Sequence, residues 1–327
     1  MKQRIALWDN IRILLITLVV IGHFIDPHTP KSGLFRCIYM FMYAFHMPLF
    51  LFISGHHFNS KHIGSKCLFY VSLGFLLKII IYITTVCTGS NTSFSLLSDG
   101  GIPWYLFVLA GYTLITHLLR NQNKTYVFIF SIILACFAGF DNTIGDQLYI
   151  SRAIIFFPFF FAGTIFDGNN IINLKRSKWF VAGAFAILLA WGILCVFALD
   201  DIYIFRHLMT GRNPFDSSIR SIGPLMRLLT YIISGLTSFA VILITPNRNI
   251  PIITKMGSRS VDVYFWHWPL YVVLNSFLHF SSLLGAGRIG MVIYLIIPVI
   301  FSVVLSSGGL ISYPINQIKK WCFQAKE

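Results

Sequence analysis

Arg12 and His23 stand eleven positions apart in the stretch DNIRILLITLVVIGHF, residues 9–24, and between them every residue is apolar except Thr17 and Gly22. On an α-helix, at about 100° per residue, the two side chains fall within roughly 20° of one face and about 16 Å apart along the axis. Asp9, three residues before Arg12, and Asp26, three after His23, lie on or near the same face. Such a stripe suits two tasks: a guanidinium can hold an anion at one end, and an imidazole can move a proton at the other. A plainer arrangement uses the same residues, with Arg12 snorkelling to lipid phosphates and His23 donating to a neighbouring helix.

His46 in AFHMPLFLFISG and His267 in VYFWHWPLYVV also sit well inside apolar runs. Each on its own fits a packed core histidine, but three at similar depth on separate helices point to a shared polar cavity. Arg152, at the start of SRAIIFFPFFFAG, adds a fixed cation. Lys78 adds another, although its long stem also reaches an interface. Pro48 with Gly55, Pro158 with Gly163, and Pro269 fall in these same segments. They fit either kinks whose freed backbone groups meet ligand or water, or ordinary membrane-helix prolines.

The elements that must carry these residues follow from composition. Of 327 residues 56% are hydrophobic and only 11% charged, with a mean hydropathy of +0.75, against about 25% charged in soluble domains. A soluble globular fold is excluded. The net charge of +14 does not indicate nucleic acid, because the cations sit in short gaps between apolar runs. Runs near the length of a bilayer crossing fall at residues 9–26, 36–58, 67–86, 102–119, 125–140, 150–166, 178–199, 220–245, 260–280 and 289–311, the fifth and sixth being short. Fifteen lysines and arginines fall in one set of alternate connections and five in the other, which by the positive-inside rule predicts an even number of spans and both termini in the cytoplasm. The expectation is one all-α polytopic domain over residues 1–327, about ten transmembrane helices around a central polar cavity, surrounded by membrane lipids. A homo-oligomer stays open.

The first apolar run carries a charge and no small-residue cleavage site, so it reads as a retained helix. Six scattered cysteines without a CxxC pair indicate neither a disulfide framework nor a zinc site, and no metal is expected. No fixed-period repeat suggests a second domain. The connection DDIYIFRHLMTGRNPFDSSI, residues 200–219, has the length and mixed charge of a loop that touches a polar ligand, and equally of a solvated connection.

WDNIRILLITLVVIGH, then FHMPLFLFISGHHF, IPWYLFVLAGY, RAIIFFPFFFAG and a late SRSVDVYFWHWPLY together resemble the acyltransferase 3 family of membrane O-acyltransferases, and within it the fucose 4-O-acetylase-like branch. The resemblance covers most of the chain, in the same order and with the same ten spans. It implies transfer of an acyl group, usually acetyl from cytoplasmic acetyl-CoA, to a hydroxyl of a cell-surface or polyprenyl-linked sugar, in a bacterial cytoplasmic membrane. The family's essential Arg and His fall on Arg12 and His23. Where some members carry an arginine cluster near the third span, this chain offers Lys66 and Lys78 for the donor.

Such a donor has a charged nucleotide end and a long pantetheine arm, which suits an arginine and a histidine about 16 Å apart. On this reading Arg12 holds phosphate and His23 is the general base on the sugar hydroxyl, with Asp26, or less favourably Asp9, fixing its tautomer. His46, His267 and Arg152 stabilise the oxyanion or hold the acceptor, and Trp104 and Tyr105 offer stacking surfaces. An acetyl-histidine intermediate is the mechanistic rival. A transporter that relays protons through the histidines is the rival class, and a scaffold without catalysis a third.

Overall fold

A computed structural model describes residues 5–98, 101–167 and 177–324, and every regular element among them is helical. Helices occupy all ten expected segments. α1 runs Ala6–Ile25, and the second segment is split into α2 (Gly33–Tyr43) and α3 (His46–His56). Then come α4 (Ile63–Cys87), α5 (Trp104–Leu118), α6 (Lys124–Phe137), α7 (Ile150–Ile165) and α8 (Lys178–Phe197). α9 (Gly223–Ile244), a short α10 (Pro251–Gly257), α11 (Ser260–Leu278), α12 (Gly287–Leu305) and α13 (Tyr313–Gln324) complete the chain.

Seven stretches among the described residues are long and apolar enough to cross a membrane, with α2 and α3 counted together. α5 and α6 are shorter, at 15 and 14 residues, whereas the sixth segment, expected to be short, qualifies once the turn at Gln147–Tyr149 is included. Large apolar side chains on α6, α8, α9 and α12 point outward, among them Phe130, Phe197, Leu225 and Ile289. In water such surface would be untenable, and in lipid it is ordinary. The chain is an all-α polytopic membrane protein.

α1 is the central post. Thirteen of its twenty residues are buried, and it packs against α2, α3, α10, α11 and α12. Its start is pinned by Asn10, whose amide donates to the carbonyls of Pro246 at 2.9 Å and Arg248 at 3.0 Å while its oxygen accepts from Thr254 Oγ1 at 2.7 Å. α3 crosses α7 at glycines. A Cβ on Gly55 would lie 1.8 Å from the Phe160 carbonyl oxygen, and one on Gly163 2.0 Å from that of Phe52.

The break between α2 and α3 has a local cause. Pro48 has no N–H, so the Ala44 carbonyl four residues earlier loses its helical partner, and the chain turns at Phe45 (φ −132°, ψ −23°). Met42's carbonyl then accepts from Phe45 N at 3.2 Å and from His46 Nδ1 at 2.9 Å.

Two ends of the bundle can be distinguished. The Arg12 end gathers Asn59, Lys66, Pro246, Arg248 and Ser258, and the Asp26 end gathers Arg36, Asp200, Arg206 and Arg212. Five of the cations counted toward the Arg12 end, Lys2, Arg4, Lys175, Arg176 and Lys326, lie outside the described residues. The segment from Asp200 to Ile219 is a packed cover, built of short helical turns at Leu199–Ile202 and Arg206–Met209 with Phe205, Leu208, Met209, Phe215 and Ile219 buried. Arg227 of α9, fully buried, donates to the carbonyls of Leu208 (2.7 Å) and Arg212 (3.2 Å) and to Asn213 Oδ1 (3.0 Å).

Candidate active site

Two cavities stack along the same four helices. The first, about 330 Å³ at the Arg12 end, is lined by Arg12 of α1, Phe50, Ser54 and His57 of α3, Lys66 of α4, Tyr105 of α5 and Tyr264 of α11. The second, about 110 Å³ at the Asp26 end, is lined by His23 of α1, His46 and Met47 of α3, Trp104 of α5 and Arg152 of α7, with Tyr39 and Tyr43 of α2 and Arg206, His207 and Arg212 of the cover. α1, α3, α5 and α7 thus pass from one cavity into the other, Arg12 leading to His23, Phe50 to Met47, Tyr105 to Trp104 and Phe160 to Phe156.

The partition between them is aromatic. Tyr105 and Ser54 share a hydroxyl hydrogen bond of 2.9 Å. Tyr105 meets Tyr264 with ring centroids 5.5 Å apart, Tyr264 meets His267 at 6.3 Å, and His267 meets His23 at 5.3 Å. Trp104 stacks on Phe156 at 5.5 Å. His267 is fully buried, and its Nδ1 lies 3.0 Å from the Val263 carbonyl and 2.8 Å from that of Tyr264. Two carbonyl acceptors require Nδ1 to carry a proton, so in the neutral ring Nε2 keeps its lone pair; among the described residues the buried Nε2 has no hydrogen-bond partner. His46 is fixed in the same sense through Nδ1 and the Met42 carbonyl, with Tyr43 edge-on at 4.4 Å. Neutral imidazoles presenting acceptor nitrogens can take or relay a proton.

Electrostatics differ between the cavities. Arg12 Nη1 pairs with buried Asp9 at 3.0 Å, which leaves the cation anchored beside the first cavity. Lys66 Nζ donates to the Asn59 carbonyl at 2.8 Å and to its side chain at 2.7 Å. In the second cavity Arg152 lies over the Trp104 ring at 5.2 Å and 3.8 Å from Asp146. In the cover outside the spans, burial first and then the Arg206 and Arg212 guanidiniums lower the pKa of His207 from its ordinary value.

His23, His46, Arg152, Trp104 and Asp26 meet in one cavity, and Arg12, Lys66 and Tyr105 in the other. His267 stands between them. The structure gives Asp26 and Lys78 partners other than those the sequence suggested. Asp26 Oδ1 accepts from Arg206 Nη2 at 2.7 Å, and no hydrogen bond joins it to His23. A guanidinium delivered by the cover offers a closer partner than an imidazole one turn back on the same helix. Asp9 is likewise engaged by Arg12. Lys78 is not with the other cations: its Nζ donates to the Leu96 carbonyl at 3.0 Å and Tyr149 at 3.1 Å, twelve residues and about 18 Å along α4 from Lys66.

Tyr39, Tyr43, His57, Tyr264 and Arg227 belong to the site or its frame and are not singled out in the sequence, whereas Arg206, His207 and Arg212 lie in the connection 200–219, which the sequence offers only as a whole, either as a loop touching a polar ligand or as a solvated one. Arg227 carried a usable signal, a lone arginine inside LMRLLTYIIS. The tyrosines carried none, since an aromatic in a membrane helix usually only packs. Among the described residues no three His, Cys, Asp or Glu side chains stand close enough together to hold a metal ion.

Comparison with curated proteins and with solved structures yields no match. Residues 5–307 match the model of the family Acyl_transf_3, described as an acyltransferase domain. That match takes in both cavities and all of α1 through α12. The chain therefore belongs to the acyltransferase 3 family and is an integral-membrane acyltransferase.

Proposed function

We propose that the protein carries a short acyl group, acetyl in the simplest case, from a cytoplasmic acyl-CoA to a hydroxyl of a cell-surface or lipid-linked glycan, with His23 as general base. The observation that carries this reading is the pair of cavities stacked along shared helices, one walled by Arg12, Lys66 and His57 and the other by the histidines, with His23 and His267 at their junction. The chemistry of the first cavity fits a CoA thioester: cations for phosphate at its mouth, aromatic and aliphatic walls for the pantetheine arm deeper in. The second, with Trp104, Tyr39 and Tyr43 beside hydrogen-bonding groups, fits a sugar.

His23 takes the proton of the acceptor hydroxyl as its oxygen bonds to the acyl carbon. The carbonyl π pair moves onto oxygen, where Arg152 or the cavity's other donors offset the charge. Collapse breaks the C–S bond, and His23 returns its proton to the departing thiolate. His267 Nε2, an acceptor with no other partner, is suited to take the N–H of His23 and so turn the second imidazole nitrogen toward the hydroxyl. In this scheme it replaces the aspartate expected from the sequence.

By orientation, the Arg12 end faces the cytoplasm and both termini with it, in a bacterial cytoplasmic membrane. The test is transfer of labelled acetyl from acetyl-CoA by purified protein in detergent. Turnover is expected, with His23→Ala reducing it by on the order of 10² or more. Absence of donor hydrolysis and of transfer alike, as for a transporter, overturns the reading, and an acetyl-enzyme trapped without acceptor overturns direct attack.

A further inference from the structure

The second cavity carries more positive than negative charge. Its walls hold Arg152, Arg206 and Arg212 against the one described carboxylate, Asp26. Arg152 is matched by Asp146 at 3.8 Å and Arg206 by Asp26 at 2.7 Å, so the charge left over at the mouth is that of Arg212, with the donors of Arg206 that Asp26 does not use beside it. Arg206 is half-buried, lies over the rings of Tyr39 at 5.1 Å and Tyr203 at 5.7 Å, and gives Nη2 to Asp26. Its Nε is buried and, among the described residues, has no hydrogen-bond partner. Arg212 is exposed at the rim, and among the described residues no carboxylate lies within 4.0 Å of it.

These two are held in place by the fold. Arg227 grips the backbone on either side of the turn, at Leu208 and Arg212, and Ser151 Oγ donates to the Gly211 carbonyl at 2.7 Å. At Gly211 φ is +71° and a Cβ would lie 2.5 Å from the Phe156 ring, so only glycine allows the turn that delivers Arg212. An arginine pair carried on a held backbone at a cavity mouth, with forked donors left over, matches a carboxylate or phosphate better than the mixed donors and acceptors of a neutral sugar.

We propose that the acceptor is anionic: it bears a carboxylate or phosphate, on the sugar or where the sugar joins its carrier, which Arg206 and Arg212 hold while its hydroxyl meets His23. This rests on the acyl-transfer reading above. A uronic acid and a sugar phosphate supply the same chemistry from two sources.

The experiment compares the full-length protein in detergent with glucose, sodium glucuronate and glucose 1-phosphate, by acetyl transfer from acetyl-CoA and by thermal stabilisation. The expected result is a preference for one or both anions over glucose on the order of tenfold or more, given about 1.5–3 kcal/mol for a hydrogen bond to a charged group and 1.4 kcal/mol per tenfold. The preference should shrink with salt and collapse in the Arg206→Gln, Arg212→Gln double variant, which keeps the wall's shape. Which anion prevails names the source. Equal handling of glucose and the anions, with transfer intact, overturns the anionic acceptor alone. Anion-selective stabilisation without transfer to any acceptor supports this inference and counts against the acyl-transfer reading. Absence of anion-selective stabilisation together with absence of transfer overturns both.

Discussion

An imidazole works as a base at neutral pH only when one nitrogen is held as donor and the other is aimed at the proton to be moved. For His23 the neighbour able to impose this is His267, whose own Nδ1 is committed to two backbone carbonyls. In the proposed scheme His267 acts through His23 and is a positioning residue. We therefore expect His267→Ala to lower kcat by on the order of 10² with little change in the KM for donor, and His267→Gln, whose amide oxygen can replace Nε2, to restore part of it. Asp26→Asn should cost less in kcat, since its carboxylate is bonded to Arg206; a loss equal to that of His267→Ala would return the tautomer role to Asp26. At the other cavity, Arg12→Gln should raise the KM for acetyl-CoA about tenfold or more while kcat at saturation holds. His23 and Arg12 were legible because their spacing on one helix is a local property. The pairing of Asp26 with Arg206 was not, because it depends on a guanidinium 180 residues further along the chain.

At the scale of elements, the site depends on how closely α3 and α7 approach. His46 begins α3 and Arg152 lies in the first turn of α7, and the crossing that sets their separation is made by Gly55 against Phe160 and Gly163 against Phe52. Here a methyl has no space to occupy, and the atom it meets is backbone. Gly163→Ala should therefore push the helices apart, costing about 1–3 kcal/mol, seen as a lower Tm in detergent together with a reduced kcat. Gly183→Ala, on the outward-facing α8 with nothing within 4 Å of its Cβ position, is the control and should leave both unchanged. The prolines and glycines of these segments stood out in the sequence, but not which of them would be a contact. Pro48 acts at a distance of one turn, by freeing a carbonyl, whereas Gly55 acts through a partner helix.

Across the whole molecule, the proposed function assigns one stacked cavity to each substrate, approached from opposite ends. In sealed vesicles with uniform orientation, acetyl-CoA, which does not cross lipid, should support transfer only from the Arg12 side, and acceptor only from the Asp26 side. Transfer with both supplied on one side would contradict the arrangement. The cover over the second cavity depends on Arg227, and Arg227→Ala strands three acceptors. We expect a loss of about 3 kcal/mol or more, read as a lower Tm and faster proteolysis between Asp200 and Ile219. By itself the sequence determined the membrane class, the positions of ten helical segments and the spacing of Arg12 and His23 on one helix. Apolar run length and helical periodicity are local, and in lipid a single run can satisfy its own backbone groups only as a helix. Only the tertiary structure decided that Lys78 braces Leu96 and Tyr149, that Asp26 answers Arg206, and that residues 200–219 close the second cavity. Each is a choice of partner for a polar group among helices, and that choice is made by which helices pack together.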